Sequence, residues 1–170
     1  MNLIVDTNLL LLYLVGSYNI EFIEYCRRIK KYTKNDFIKV RNIILAYQKI
    51  YITPQILAEI SNLSEDIKNP KREPYLGKLI EIVRKFNEEY VSLLKLIPNK
   101  KLVSQIGFTD ISIMETAKKY NCMLFTDDFP LAQIASLNQC TVINYTNIQG
   151  HEWGYIANHQ ELFVPSAYCF

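Results

Sequence analysis

The sequence predicts a three-layer α/β/α domain, with helices covering both faces of a central parallel sheet. Three observations carry this. Short apolar or β-branched runs recur at Asn2–Asp6, Lys49–Thr53, Cys122–Thr126 and Cys140–Tyr145. Helix-length stretches separate them, and strand–helix–strand order implies parallel strands joined by crossovers. The runs alternate little between apolar and polar, as strands buried on both faces do.

Taken in order, "NLIVD" is a strand, and "TNLLLLYLV" turns helical until Gly16-Ser17. Two helix-length stretches fill Ile20 to Tyr47, broken near Thr33 to Asn35. "KIYIT" is the next strand. Thr53 then caps a helix that has Pro54 at its first position and runs to about Leu63. Glu65 to Glu73 is charged, carries Pro70 and reads as a loop. Leu76, Leu79, Ile80, Val83, Phe86 and Tyr90 recur at helical spacing, so one long helix is expected from Tyr75 to about Leu94. A turn at Pro98-Asn99 follows, and "GFTD" leads into a helix from Asp110 to Tyr120. "CMLFT" is a strand, Pro130 opens another helix, and "CTVINY" is the last strand. Gln149 to Phe170 is an aromatic extension, expected to dock on its own domain or on a second copy.

A chain of 170 residues suits a single domain, 1–170, with a self-sufficient core. Its 49% hydrophobic and 21% charged residues describe an ordinary globular protein, without a low-complexity tract. The net charge of +2 offers no global argument for a nucleic-acid partner. Four scattered cysteines without a C-x-x-C pair point to a reduced, cytoplasmic protein. "LLLLYLVG" is too short to span a bilayer, so no membrane association is expected. His151 and His159 read as surface residues rather than a zinc pair.

The chemistry lies in the carboxylates. Ligands of open parallel sheets sit beyond the carboxyl ends of the strands. Asp6 closes the first strand there, and Asp127-Asp128 follow the third. On the helix after Thr53, Glu59 lies about 60° from the direction of Ile56, at the border of the buried face. On the helix after Thr109, Asp110 falls within the stripe of Ile113, Met114 and Ala117. Glu115 falls on the far side beside Ser112, with Lys119 four residues on, as a solvated pair. Clustered acids repel and resist burial unless a cation neutralises them, and Mg²⁺ or Mn²⁺ prefers oxygen ligands. The plain alternatives are N-caps at Asp110 and Asp128, an Asx-type turn at Asp6 and a solvated Glu59.

These features, "LIVDTNLLL", "ITPQILAEI" and "GFTDISIMETAKKYNCMLFTDD" in that order, resemble the PIN-domain nucleases from Met1 to about Tyr145. The resemblance implies a sheet of about five parallel strands and a metal-dependent endoribonuclease. Carried over, Asp6, Glu59 and Asp110 match the family's three central acids. The fourth position, two residues after the strand-terminal threonine, is Asp128. Asp6, Asp110 and Asp128 would hold the metal, and Asn8, Thr109, Thr126 and Asp127 would support them. The stretch at about 17–48 is a helical insertion relative to compact members, and the tail at about 149–170 is additional. Toxin-like members are the nearest kind, so the partners implied are RNA, a small antitoxin protein and a second copy of the chain. A housekeeping RNA-processing role fits equally.

Seven of the nineteen basic residues fall between Arg27 and Arg41. Arg27, Arg28, Lys30, Lys31 and Lys34 lie in the inserted segment, where they either form a solvated face or contact phosphates beside the acids. Tyr25 or Tyr32 could then stack on a base. Two other classes compete with the nuclease. One is a silent PIN-fold interaction module, which loss of an acid would mark. The other is a phosphohydrolase with Asp6 as nucleophile, which wants a second acid where Asn8 stands.

Overall fold

The computed structural model describes residues 1–68, 70–97 and 100–150; the turn expected at Pro98-Asn99, most of the aromatic extension and both histidines lie outside them. Five parallel strands form one sheet: β1 (Asn2–Val5), β2 (Lys49–Ile52), β3 (Asn87–Glu88), β4 (Met123–Thr126) and β5 (Val142–Asn144). Their order is β3-β2-β1-β4-β5. The central strands are the most apolar, since β1 and β4 each hydrogen-bond on both edges and are covered above and below.

Helices cover both faces. On one side α1 (Thr7–Tyr18) packs against α2 (Lys34–Leu45) and α4 (Arg72–Val83). On the other, α6 (Lys100–Tyr120) packs on β1 and β4, with α7 (Phe129–Leu137) on β4 and β5. Between them, α3 (Pro54–Leu63) touches both α1 and α6. Two four-residue helices, α5 (Leu93–Leu96) and α8 (Tyr145–Ile148), complete the described chain. The architecture is therefore the three-layer α/β/α predicted. None of the described helices is long and apolar enough to cross a membrane. Cys26, Cys122 and Cys140 are buried free thiols.

Helix α1 is apolar all round and buried along nearly its whole length, which explains why "LLLLYLV" shows no amphipathic pattern. It passes so close to α2 that a Cβ on Gly16 would stand 2.4 Å from the Phe37 ring.

Three expectations need correction. The single helix from Tyr75 to Leu94 is instead α4, an extended edge strand β3 and α5. The apolar spacing ran on past Val83, but the backbone of Asn87 and Glu88 is taken up by the open edge of β2, paired at Tyr51 and Ile52. The first of the two helices between Ile20 and Tyr47 is only a 3₁₀ turn (Ile20–Ile23) followed by tight turns through residue 32. The second is α2, started by a Thr33–Asp36 capping box at the expected break. Ser112 is fully buried rather than solvated, and its hydroxyl meets that of Thr53 at 2.9 Å. Glu115 accordingly pairs with Lys118 at 3.7 Å, while Lys119 reaches across to Glu89.

One further helix was not foreseen. The chain is already helical from Lys100 and breaks at Gly107, whose φ of 80° and ψ of 176° suit only glycine. This break aims the helix that carries Asp110. Gly107→Ala is expected to cost about 2 kcal/mol, read from the urea midpoint.

Candidate functional site

The strand order reverses between β1 and β4. From β1 the chain steps outward through β2 to β3, and the other side is filled by β4 and β5. The connections leaving the carboxyl ends of β1 and β4 diverge, and a crevice opens at such a switch point. Asp6 is the residue after β1, and Asp127 and Asp128 follow β4.

Asp6 is 3% exposed and fully engaged. One carboxylate oxygen accepts the Leu9 amide at 2.9 Å and so caps α1. The other accepts the Thr126 hydroxyl and the Asp127 amide, the latter at 3.0 Å. A structural role absent from the sequence reading is thus present: the strand-terminal acid is also an N-cap. Burial, and next the charge of Asp127, nonetheless raise its pKa to about 7.

Asp128 caps α7 through the Leu131 amide at 2.9 Å, the plain alternative foreseen for it. Glu59 is half-buried on α3 and accepts the Thr7 hydroxyl at 3.1 Å. Asp110 differs from these. It sits in the first turn after Gly107. Burial first, then the charges of Asp6, Asp128 and Glu59, push its pKa to about 7, and no hydrogen bond from the described residues opposes them. The other three acids foreseen from sequence therefore act electrostatically on Asp110.

Asp127 is occupied by one cation and by neutral donors. Lys31 and the Tyr32 hydroxyl both donate to one of its oxygens, each at 2.5 Å, and Asn8 approaches the other at 3.4 Å. Arg28 in turn holds the Asn8 carbonyl oxygen at 2.8 Å. Two residues of the basic run thus reach the acids, 96 positions along the chain in the case of Lys31. Lys34 instead pairs with Glu21, and Arg27 and Lys30 are exposed without an ion pair among the described residues. Tyr32 is 4% exposed and cannot serve as a stacking surface, which corrects the expectation; Tyr25, at 76%, can.

The supporting residues divide. Thr126 bridges Asp6 and the Asp128 amide. Thr109 contributes its carbonyl, to Ser112. Thr7 and Tyr32 support the acids without having been assigned that role from sequence. Thr7 had a signal, a hydroxyl at the first helical position after Asp6; Tyr32 had none, since its partner is 95 positions away.

The Asp127 contacts differ in worth. Its side chain is 7% exposed, whereas that of Lys31 is 58% exposed. A buried hydrogen bond to a carboxylate contributes about 1.5–3 kcal/mol, and a solvated ammonium under about 1 kcal/mol. Tyr32→Phe is therefore expected to lower stability more than Lys31→Met, compared by denaturant titration.

Among the described residues, no three His, Cys, Asp or Glu side chains already stand together as a ligand group for a metal ion. The donors are all oxygen, as a hard divalent ion prefers. Asp110, which has no donor among the described residues, is the one whose charge most lacks compensation. The residues fit such an ion in kind, while their present arrangement is that of carboxylates bonded to the protein. No protein-family model matches the chain, and no curated protein matches it in sequence.

Proposed function

We propose that the chain is a divalent-metal-dependent endoribonuclease of the PIN-domain kind. The observation that carries this reading is the state of Asp110, a carboxyl raised to about 7 by burial and by three other acids, with no donor among the described residues to relieve it. The place of Asp6 and Asp128 at a topological switch point supports the same reading.

In this reading Asp6, Asp110 and Asp128 would hold Mg²⁺ or Mn²⁺, which when bound lowers the pKa of a water and offsets charge on the scissile phosphate. Glu59 stands at the rim, where it would orient the attacking water or take its proton. Thr126 keeps Asp6 and the start of α7 in register, and Thr7 keeps Glu59 turned toward α1. Arg28 and Lys31 would meet the substrate's phosphates beside Asp127.

A second reading, a catalytically silent interaction module, is favoured by one observation. Asp6 and Asp128 already cap helices, and Asp127 already has its cation in Lys31. A mixed RNA pool incubated with Mn²⁺ or Mg²⁺ separates the two. Cleavage that needs the metal and is lost in Asp6→Asn and Asp110→Asn is expected. Absence of cleavage, or equal cleavage by the variants, supports the silent module.

A further inference from the structure

A path leads away from the acids along the turns after α1. Arg28 holds Asn8 with its Nε, and among the described residues nothing takes up the other donors of its guanidinium. It also lines a hollow of about 530 Å³ together with Arg27, Asn62, Glu65, Asp66 and Lys68. A second hollow of about 280 Å³ shares Asp66 and Lys68 with the first, and continues to Phe22, Tyr25 and Lys71.

The charges along this path are not spent on one another. Among the described residues Arg27, Arg28 and Lys68 form no ion pair, whereas Lys31, Lys34, Lys78, Lys85, Lys118 and Lys119 all do. Asp66 is exposed, and one of its oxygens is engaged by the backbone amide of Arg27 at 3.0 Å. Lys71 lies over the Phe22 ring at 4.7 Å, and Tyr25 exposes its ring at the far end.

From this sequence of groups we infer that the path is a binding track for a single polynucleotide strand leaving the acids. The inference rests on the nuclease reading. Arg28, Arg27 and Lys68 contact successive phosphates, and Tyr25 stacks on a base beyond them. An unpaired strand is required, because its bases must turn outward onto a ring while its phosphates follow the cations. An acidic protein segment would meet the same cations but would have no use for an exposed ring at the end of the row.

The test is binding by the full-length chain of a fluorescein-labelled single-stranded oligonucleotide, by anisotropy in chelator over a range of salt. Each phosphate contact on a single strand contributes roughly 0.7 to the log–log salt slope. The Arg27→Ala/Lys68→Ala double variant should therefore bind more weakly, with a slope shallower by about 1.4. Tyr25→Ala should bind roughly tenfold more weakly with little change in slope. Lys78→Ala/Lys85→Ala, which removes equal charge from α4 and the turn just after it, should bind as wild type does.

Unchanged affinity and slope in the Arg27/Lys68 variant would overturn the track. So would no binding of the oligonucleotide by wild type, or binding of poly-glutamate in its place. Hydrolysis of a small phosphodiester, bis(p-nitrophenyl) phosphate, by wild type with Mn²⁺ reports on the acids separately. Its failure would count against the nuclease reading, whatever the binding curves show.

Discussion

Asp110→Asn is expected to abolish metal-dependent cleavage while making the chelated protein more stable at pH 8. The two effects have one origin. The folded pKa of about 7 lies above the ordinary value of 3.8. Between roughly pH 4 and 7 the folded chain thus keeps a proton that the unfolded chain has released, and stability falls as pH rises through that window. Above it the penalty is fully present. Three pKa units set an upper bound of about 4 kcal/mol, and partial solvent access to Asp110 reduces this to about 2 kcal/mol. Asparagine removes the charge and forfeits no hydrogen bond to the described residues, because none of them donates to this carboxyl. Asp6→Asn should gain less, since an amide cannot accept from the Leu9 and Asp127 amides and the Thr126 hydroxyl together. Loss of cleavage should reach at least about a hundredfold, given that even supporting residues around metal sites are worth 10–100-fold. Thermal unfolding at pH 5 and pH 8 in chelator, beside cleavage in Mn²⁺, tests both. An Asp110→Asn variant that unfolds more readily than wild type at pH 8 would contradict the electrostatic account.

The largest purely structural effect is expected at Gly16. A methyl group there would meet Cδ2 and Cε2 of Phe37 at 2.4 and 2.7 Å, inside any tolerable contact. Phe37 is buried against α1 and cannot swing into solvent. Overpacking of this kind costs about 1–3 kcal/mol, and here the upper end is expected, since ring and helix are both confined. Phe37→Leu in the Gly16→Ala background should recover part of the loss, although Phe37→Leu alone is destabilising. That non-additivity, measured as a double-mutant cycle, identifies the contact. Additive losses would show that α1 and α2 shift apart instead.

Much of the sheet was legible because β1 and β4 carry continuous apolar runs that have few other uses. β3 was not, because Asn87 and Glu88 have no strand character of their own and take their conformation from the edge of β2. The turns after Ile23 read as a helix because spacing cannot reveal that their apolar residues pack in 3₁₀ and turn geometry. Helix phase put Asp110 in line with the buried Ile113, Met114 and Ala117, where it is half-buried, but misjudged Ser112, which spends its buried hydroxyl on Thr53 and on the Thr109 carbonyl. Asp6, Asp110 and Asp128 could be named from sequence because each stands at a strand end or a helix start, whereas Glu59, in the middle of α3, could be reached only by helix phase. The donors around Asp127 could not be assigned by local pattern. Lys31 and Tyr32 meet it only after the sheet has brought distant segments together.

The burial of α1 also governs the order in which the chain can form. Asp6 is tied to Thr126, 120 positions later, and β1 lacks one of its two neighbours until β4 has been made. At roughly 5–20 residues per second, a ribosome takes about 6–24 s to supply that partner. Through that interval one of the most apolar helices of the protein has no complete core to enter. Newly made chains should therefore depend on holding chaperones, and slow-growing cells should yield less soluble protein when those are depleted.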